Sequence, residues 1–288
     1  MKKLIWVVVA LLALVCSCKK DSAKRADEQL CNGHNALCGK KYNEVAYLGA
    51  HNAFNYKGPF AFPNQNISIT KQLQMGVRCF MIDIYLEGDK ILVHHGVKAL
   101  GYQTGEQVFG EVLNFMIDNP NEIVTLILQN QEVSTPKIAL LYEDLGLDVF
   151  GYTHNETAGW PYLTDMIAQN KRLVTFVEND DSDIDNYPYI LDGYTYMFEN
   201  EYEHTQLSDF NCDEKRGSGG KREIYLLNHW IGLLGDENGA KKVNKFDFLA
   251  NQVKNCTEEK DHMVNFVALD FVDIGDGLAV VDSINGVN

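Results

Sequence analysis

The chain has 288 residues, with 25 Lys and Arg against 40 Asp and Glu, a formal charge of −15. Hydrophobic residues make up 45 % and charged residues 23 %, values of a globular chain that exclude a disordered one; six prolines and 23 glycines exclude collagen-like and low-complexity classes. The acidic excess excludes a nucleic-acid partner, which needs clustered Lys and Arg for the phosphate backbone, and argues against long-range attraction to an anionic lipid surface.

At the N-terminus Lys2 and Lys3 precede an apolar run, Leu4 to Val15. A membrane span needs about 20 residues, so this shorter run reads as the core of a signal peptide. Its end, Val15-Cys16-Ser17-Cys18, resembles a bacterial lipobox with Cys18 as the lipid acceptor; cleavage without lipidation is the alternative. The expected organisation is a signal peptide over 1–17, a polar tether over 18–30 and a single domain over 31–288, anchored by lipid in the bacterial cell envelope. Export makes disulfides possible. Cys31 can pair with Cys38 across a short turn, Cys212 can pair with Cys256, and Cys79 falls in an apolar strand as a buried thiol. No CxxC or HxxxH spacing supports zinc.

The elements then alternate. Val45–Gly49 predicts a short strand ending at His51, and Ser68–Met75 a helix closed by Gly76. Val77–Tyr85 and Ile91–His94 are strand-like. Glu106–Asp118 is helical, with Phe109, Leu113 and Met116 on one face and Pro120 beyond its end. Ile123–Leu128 reads as a strand, Lys137–Leu145 and Tyr162–Gln169 as helices, and Leu173–Val177 as a strand. Asp180–Asn186 and Cys212–Lys221 are polar loops. Ile224–Leu227 predicts a strand, Ala240–Val253 a helix and Asn265–Phe271 the last strand. The strands lack strict alternation of polar and apolar residues, as parallel strands buried on both faces do. The expected architecture is α/β, an irregular TIM-type (β/α) barrel with its site at the C-terminal strand ends. No GxGxxG or phosphate-binding loop supports a nucleotide.

Polar residues stand at those strand ends: His51, Asn52, Asp83, His95, Gln129, Asn130, Glu178, Asn179, Asn228, His229 and Asp270. His51 and His95 suit general acid and base work near neutral pH. Asp83 sits in the apolar stretch Met81-Ile82-Asp83-Ile84-Tyr85, where a carboxylate needs a cation, a metal or several donors; an ion pair with Arg78 is one solution. Asn52, Asp83 and Gln129 offer oxygen only, which suits a hard cation such as Ca2+ or Mg2+, held weakly by so little charge. The acidic loop Asp180–Asp185 is a second calcium candidate, more simply a solvated loop.

Gly49-Ala50-His51-Asn52-Ala53-Phe54, Gln72 through Asp83, Val93-His94-His95-Gly96 and Asn119 through Leu128 resemble the X region of phosphatidylinositol-specific phospholipases C. Leu227-Asn228-His229-Trp230 and Asn265 through Phe271 are similar to later segments of a secreted bacterial branch. The resemblance implies a PLC-like phosphodiesterase barrel that cleaves a phosphodiester by attack of the neighbouring inositol 2-hydroxyl. By that resemblance His51 contacts the phosphate and assists attack or stabilises the pentacoordinate state, and His95 protonates the leaving oxygen, with His94 only a neighbour. Asn52 and Asp83 follow the metal-dependent version of the site, in which a cation replaces an arginine. The glutamate that this version carries two residues before the aspartate is Met81 here, and its fourth ligand is Gln129. Asp270 is a candidate to orient His51, and His229 a candidate substrate contact. Two alternatives stay open: a glycerophosphodiesterase or sphingomyelinase D-like enzyme on the same fold, and a non-catalytic surface lipoprotein that binds a headgroup or glycan.

Overall fold

A computed structural model describes residues 29–178, 184–232 and 234–287. The expected signal peptide, Cys18, most of the tether and most of the acidic loop lie outside these residues. No helix among the described residues is long and apolar enough to cross a membrane.

Among the described residues eleven strands form one sheet: β1 (Tyr47–Ala50), β2 (Cys79–Glu87), β3 (Lys90–Val93), β4 (Gln103–Thr104), β5 (Val124–Gln131), β6 (Leu173–Val177), β7 (Ile190–Asp192), β8 (Met197–Asn200), β9 (Glu214–Arg216), β10 (Ile224–His229) and β11 (Phe266–Leu269). Nine follow the order β7-β6-β5-β2-β1-β11-β10-β8-β9, while β3 and β4 branch from β2. Every pairing on the main path is parallel except β8 with β9. The architecture is the expected α/β TIM-type barrel, irregular because β7 and β9 end the path without pairing to one another.

Strand periodicity sorts the barrel's residues into two sets. Leu48, Phe80, Ile82, Leu126, Leu128, Tyr225, Leu227, Val267 and Leu269 belong to an apolar cluster that also takes in buried residues of the helices Ile69–Met75, Gly105–Asp118, Thr135–Leu145 and Phe246–Lys260. The alternate residues Tyr47, Cys79, Met81, Ile127, Val174, Phe176, Ile224, Leu226, Phe266 and Ala268 form a second cluster with Tyr42 and Trp160. Tyr42 stacks on Trp160 with ring centroids 5.0 Å apart and shares a 2.6 Å hydrogen bond with Thr125. Further along the same faces, apolar side chains give way to His51, Asp83, Gln129, Glu178, Asn228 and Asp270. The sequence therefore builds a dry lower layer and a polar upper one from the same alternation.

Both expected disulfides form, Cys31–Cys38 and Cys212–Cys256, and Cys79 is a buried free thiol whose pKa burial pushes up. Three expectations change. The helix expected over Ala240–Val253 is two helices, Glu237–Val243 and Phe246–Lys260, broken where buried Asn244 turns its side-chain amide to the Asp270 carbonyl at 2.9 Å. The expected polar loop Cys212–Lys221 contains β9. Arg78 pairs with Glu122 at 2.8 Å and not with Asp83, because it precedes β2 and Asp83 lies five residues on.

Candidate active site

His51 follows β1 and lies 2.8 Å from Asp270 Oδ1 through Nδ1, with Asp270 buried behind it. Trp230, two residues beyond inward-facing Asn228, lies flat against the His51 ring, with centroids 3.7 Å apart and planes 4° from parallel. That face also suits a protonated imidazole, since an aromatic ring attracts a cation over its plane. Asn52 adopts the left-handed backbone region, φ 44°, which Asn tolerates better than most residues. Its Nδ2 lies 3.0 Å from His51 Nε2 and donates to Asn64 Oδ1 at 3.3 Å.

His95 follows β3, and its Nδ1 lies 3.1 Å from Asp83 Oδ2. This hydrogen bond outweighs burial and raises the His95 pKa above the ordinary histidine range. The partner of the embedded Asp83 is thus a histidine. His94 points elsewhere, stacked on Tyr85 at 3.7 Å.

His51, His95, Asn52, Asp83, Gln129, Glu178, Arg216 and Trp230 line one cavity of about 280 Å³, at the small end of the range for ligand pockets. Asp83 and Gln129 are register partners on adjacent parallel strands, and their side chains therefore share the inner face. The far wall is an ionic cluster. Arg216 pairs with Glu178 at 3.0 Å and with Glu199, and sits over the rings of Tyr194 and Tyr202 at 5.0 and 5.2 Å. Burial pushes the Glu178 carboxyl up to about 7 despite the guanidinium beside it, and raises Glu199 as well. Burial pulls the arginine down, but its two carboxylates more than offset this and hold it firmly charged.

One expected contact fails. His229 is wholly buried in the outward-facing set, with its Nε2–H donated to the Val243 carbonyl at 2.9 Å. Burial pushes its pKa down to about 4. It cannot touch a substrate in the cavity; its neighbours Asn228 and Trp230 line the wall instead, because alternate residues of a strand face opposite sides. Sequence reading missed Trp230, Arg216, Tyr202 and Asn64 as site residues. For Trp230 a signal existed: it is two residues from Asn228, on the same face.

The donor set for a cation is Asn52, Asp83 and Gln129, two amides and one carboxylate. Among the described residues no group of three or more His, Cys, Asp or Glu is placed to hold a metal ion. The three oxygen donors fit a hard cation held loosely, because one carboxylate supplies little charge and His95 already shares it.

The barrel has the shape of a known class. The phosphatidylinositol-specific phospholipase C of Listeria monocytogenes superposes with a TM-score of 0.60 at 17 % identity, covering 87 % of this chain and 95 % of that one. A variant of the enzyme from Staphylococcus aureus gives 0.57 at 15 %, covering 85 % and 94 %. The fold is that of these phospholipase C barrels. The model of the PI-PLC X domain family matches residues 37–285, and the chain belongs to that family. Relatives include PI-PLC X domain-containing protein 1 of Arthroderma benhamiae, 27 % identical over all of this chain and 98 % of the relative, and an uncharacterized secreted protein of the same fungus, 27 % identical over 85 % of this chain and 60 % of the relative. A PI-PLC X domain-containing protein of Arabidopsis thaliana is 28 % identical over 87 % and 63 %.

Proposed function

We infer that the chain is a phospholipase C-like phosphodiesterase that cleaves a phosphoinositide-type lipid or a related phosphodiester. One observation carries this reading: two histidines, each held by its own carboxylate, face a single cavity. His95, whose pKa the bond to Asp83 raises, is suited to give a proton to the leaving oxygen. His51, with Nδ1 tied to Asp270, would take the proton of an attacking hydroxyl on Nε2, the hydroxyl replacing the Asn52 Nδ2 contact there. Asn52, Asp83 and Gln129 would hold Ca2+ or Mg2+, which on binding neutralises phosphate charge and acidifies the attacking hydroxyl.

Two disulfides in a small domain, and the secreted fungal relative, support an extracytoplasmic location. Lipidation at Cys18 and anchoring in a bacterial envelope are part of the proposal, and anchoring would bring a strongly acidic protein to a lipid surface that charge alone disfavours. The test is incubation of purified protein with phosphatidylinositol or phosphatidylcholine vesicles, with Ca2+ or with EDTA. Hydrolysis lost in His51→Ala and His95→Ala supports the reading. Headgroup binding without turnover of any phosphodiester would replace it with that of a binding protein.

A further inference from the structure

One side chain is bonded to both Asp270 and Asn52. Asn64, wholly buried in the loop between β1 and the helix Ile69–Met75, donates from Nδ2 to both Asp270 oxygens at 3.0 and 3.2 Å. Its Oδ1 accepts from Asn55 Nδ2 at 2.6 Å and from Asn52 Nδ2 at 3.3 Å. The chemistry permits one orientation of this amide. Reversing it would set its oxygen against a carboxylate and its NH2 against two other NH2 groups.

The same logic passes one residue further. With Asn64 Oδ1 fixed as an acceptor, Asn52 must present Nδ2 to it, which sends the Asn52 oxygen to the other side of the amide plane. Asn52 Nδ2 also faces His51 Nε2, so that ring nitrogen carries the lone pair, and Nδ1 carries the proton donated to Asp270. We propose that Asn64 is the positioning residue of this site: it holds the Asp270 carboxylate in the place where it takes the His51 Nδ1 proton, and it fixes one orientation of Asn52.

The backbone is arranged to keep Asn64 in place. Its carbonyl accepts from Phe271 N at 2.8 Å, and its own N–H donates to the Asn55 carbonyl at 2.9 Å. Beside it, Gln65 Nε2 bridges the His51 and Leu269 carbonyls at 2.8 and 3.0 Å, and Gln65 Oε1 accepts from Val272 N at 3.0 Å. Phe271 and Asn52 both hold positive φ, 50° and 44°, beside the two groups that Asn64 connects. A bulky aromatic residue rarely adopts that region, and surrounding bonds must hold it there.

The proposal rests on the phosphodiesterase reading only in its kinetic arm. Nitrogen-15 shifts of the His51 ring, read in substrate-free protein at a pH where the ring is neutral, report the tautomer directly. The wild type should show the single Nδ1–H form. Asn64→Asp keeps the size of the side chain but sets a carboxylate against Asp270; it should give a mixture of tautomers. On a phosphodiester substrate its kcat should fall about 10- to 100-fold with KM changed less than about threefold, the usual scale for removing a group that orients a ligand or base. Asn64→Ala serves the same test should Asn64→Asp fail to fold. Retention of the single Nδ1–H form in the variants would overturn the proposal. If the wild type turns over no phosphodiester, the functional reading fails and the tautomer measurement alone decides this one.

Discussion

Arg216 on β9, one end of the strand order, and Glu178 just past β6, next to the other end, meet at 3.0 Å in one wall of the cavity. The backbone ladder does not close between β7 and β9, so this ion pair spans the open side of the barrel beside the candidate site. With Glu199 it makes a cluster of two buried carboxylates and one guanidinium, short of one positive charge. Arg216→Met should destabilise the protein by about 3–5 kcal/mol, because it leaves two carboxylates without their cation. Urea denaturation at pH 8 measures this, and a loss below about 1 kcal/mol would refute it.

Glu178→Gln should act in the opposite sense. The folded pKa of about 7 lies above the unfolded carboxylate value, so the folded state binds the extra proton and stability is lost as pH rises from about 4.5 to 7. The glutamine variant should therefore match the wild type near pH 4.5 and exceed it at pH 8. A variant less stable than the wild type at pH 8 would contradict this account.

His229 gives a slope of the other sign. Its folded pKa of about 4 lies below the unfolded value near 6.5, and His204 beside Trp230 is depressed by burial too. Their contribution is fully present above about pH 6.5 and is lost as pH falls toward 4, by about 3 kcal/mol for His229. His229→Gln, which can keep the bond to the Val243 carbonyl, should flatten that loss in thermal melts between pH 7 and 4.5. An unchanged slope would exclude His229 as its source.

The Trp230 stack predicts a graded kinetic effect. An aromatic pair is worth about 0.5–1.5 kcal/mol beyond its buried area, and about 1.4 kcal/mol is tenfold in rate. Trp230→Phe should stay within about threefold of wild-type kcat, while Trp230→Leu should lose about tenfold. Equal rates in the two variants would show that filling space is all the ring does.

Metal dependence is a further measurement on the proposed reaction. One carboxylate and two amides place the expected calcium affinity near the weak extracellular range, about 10⁻⁴–10⁻³ M. Activity should vanish in EDTA and return with millimolar Ca2+, and Asp83→Asn should raise the concentration required. Equal turnover in EDTA would remove the cation from the proposal.

Local pattern carried much of this in advance. Polar residues closing apolar runs marked His51, Asp83, Gln129 and Asp270, because a parallel barrel strand stays apolar until its C-terminal end. The two cysteine pairs were legible from their flanking turns. His229 misled because, at a strand end, the pattern shows that a polar residue is present but not which face it takes; the parity set by Leu227 and Leu226 decides that. The break at Asn244 was invisible for a related reason. The apolar spacing continues through it, and only the Asp270 carbonyl, 26 positions along the chain, explains why that amide leaves the helix.

Composition, the succession of strand and helix patterns and the order of strand-end residues determined the fold class, the polar residues at the strand ends and the two histidines, because each follows from neighbours a few positions apart. Only the tertiary structure decided what each histidine leans on: Asp83 for His95, and Asp270, Trp230 and the amides of Asn52 and Asn64 for His51. It alone also brought Arg216, from a glycine-rich polar segment, to Glu178 across the open side of the sheet. Those partners are far apart in the chain, and a hydrogen bond or ion pair depends on distance and direction in space, which the curl of the sheet sets and no local pattern records.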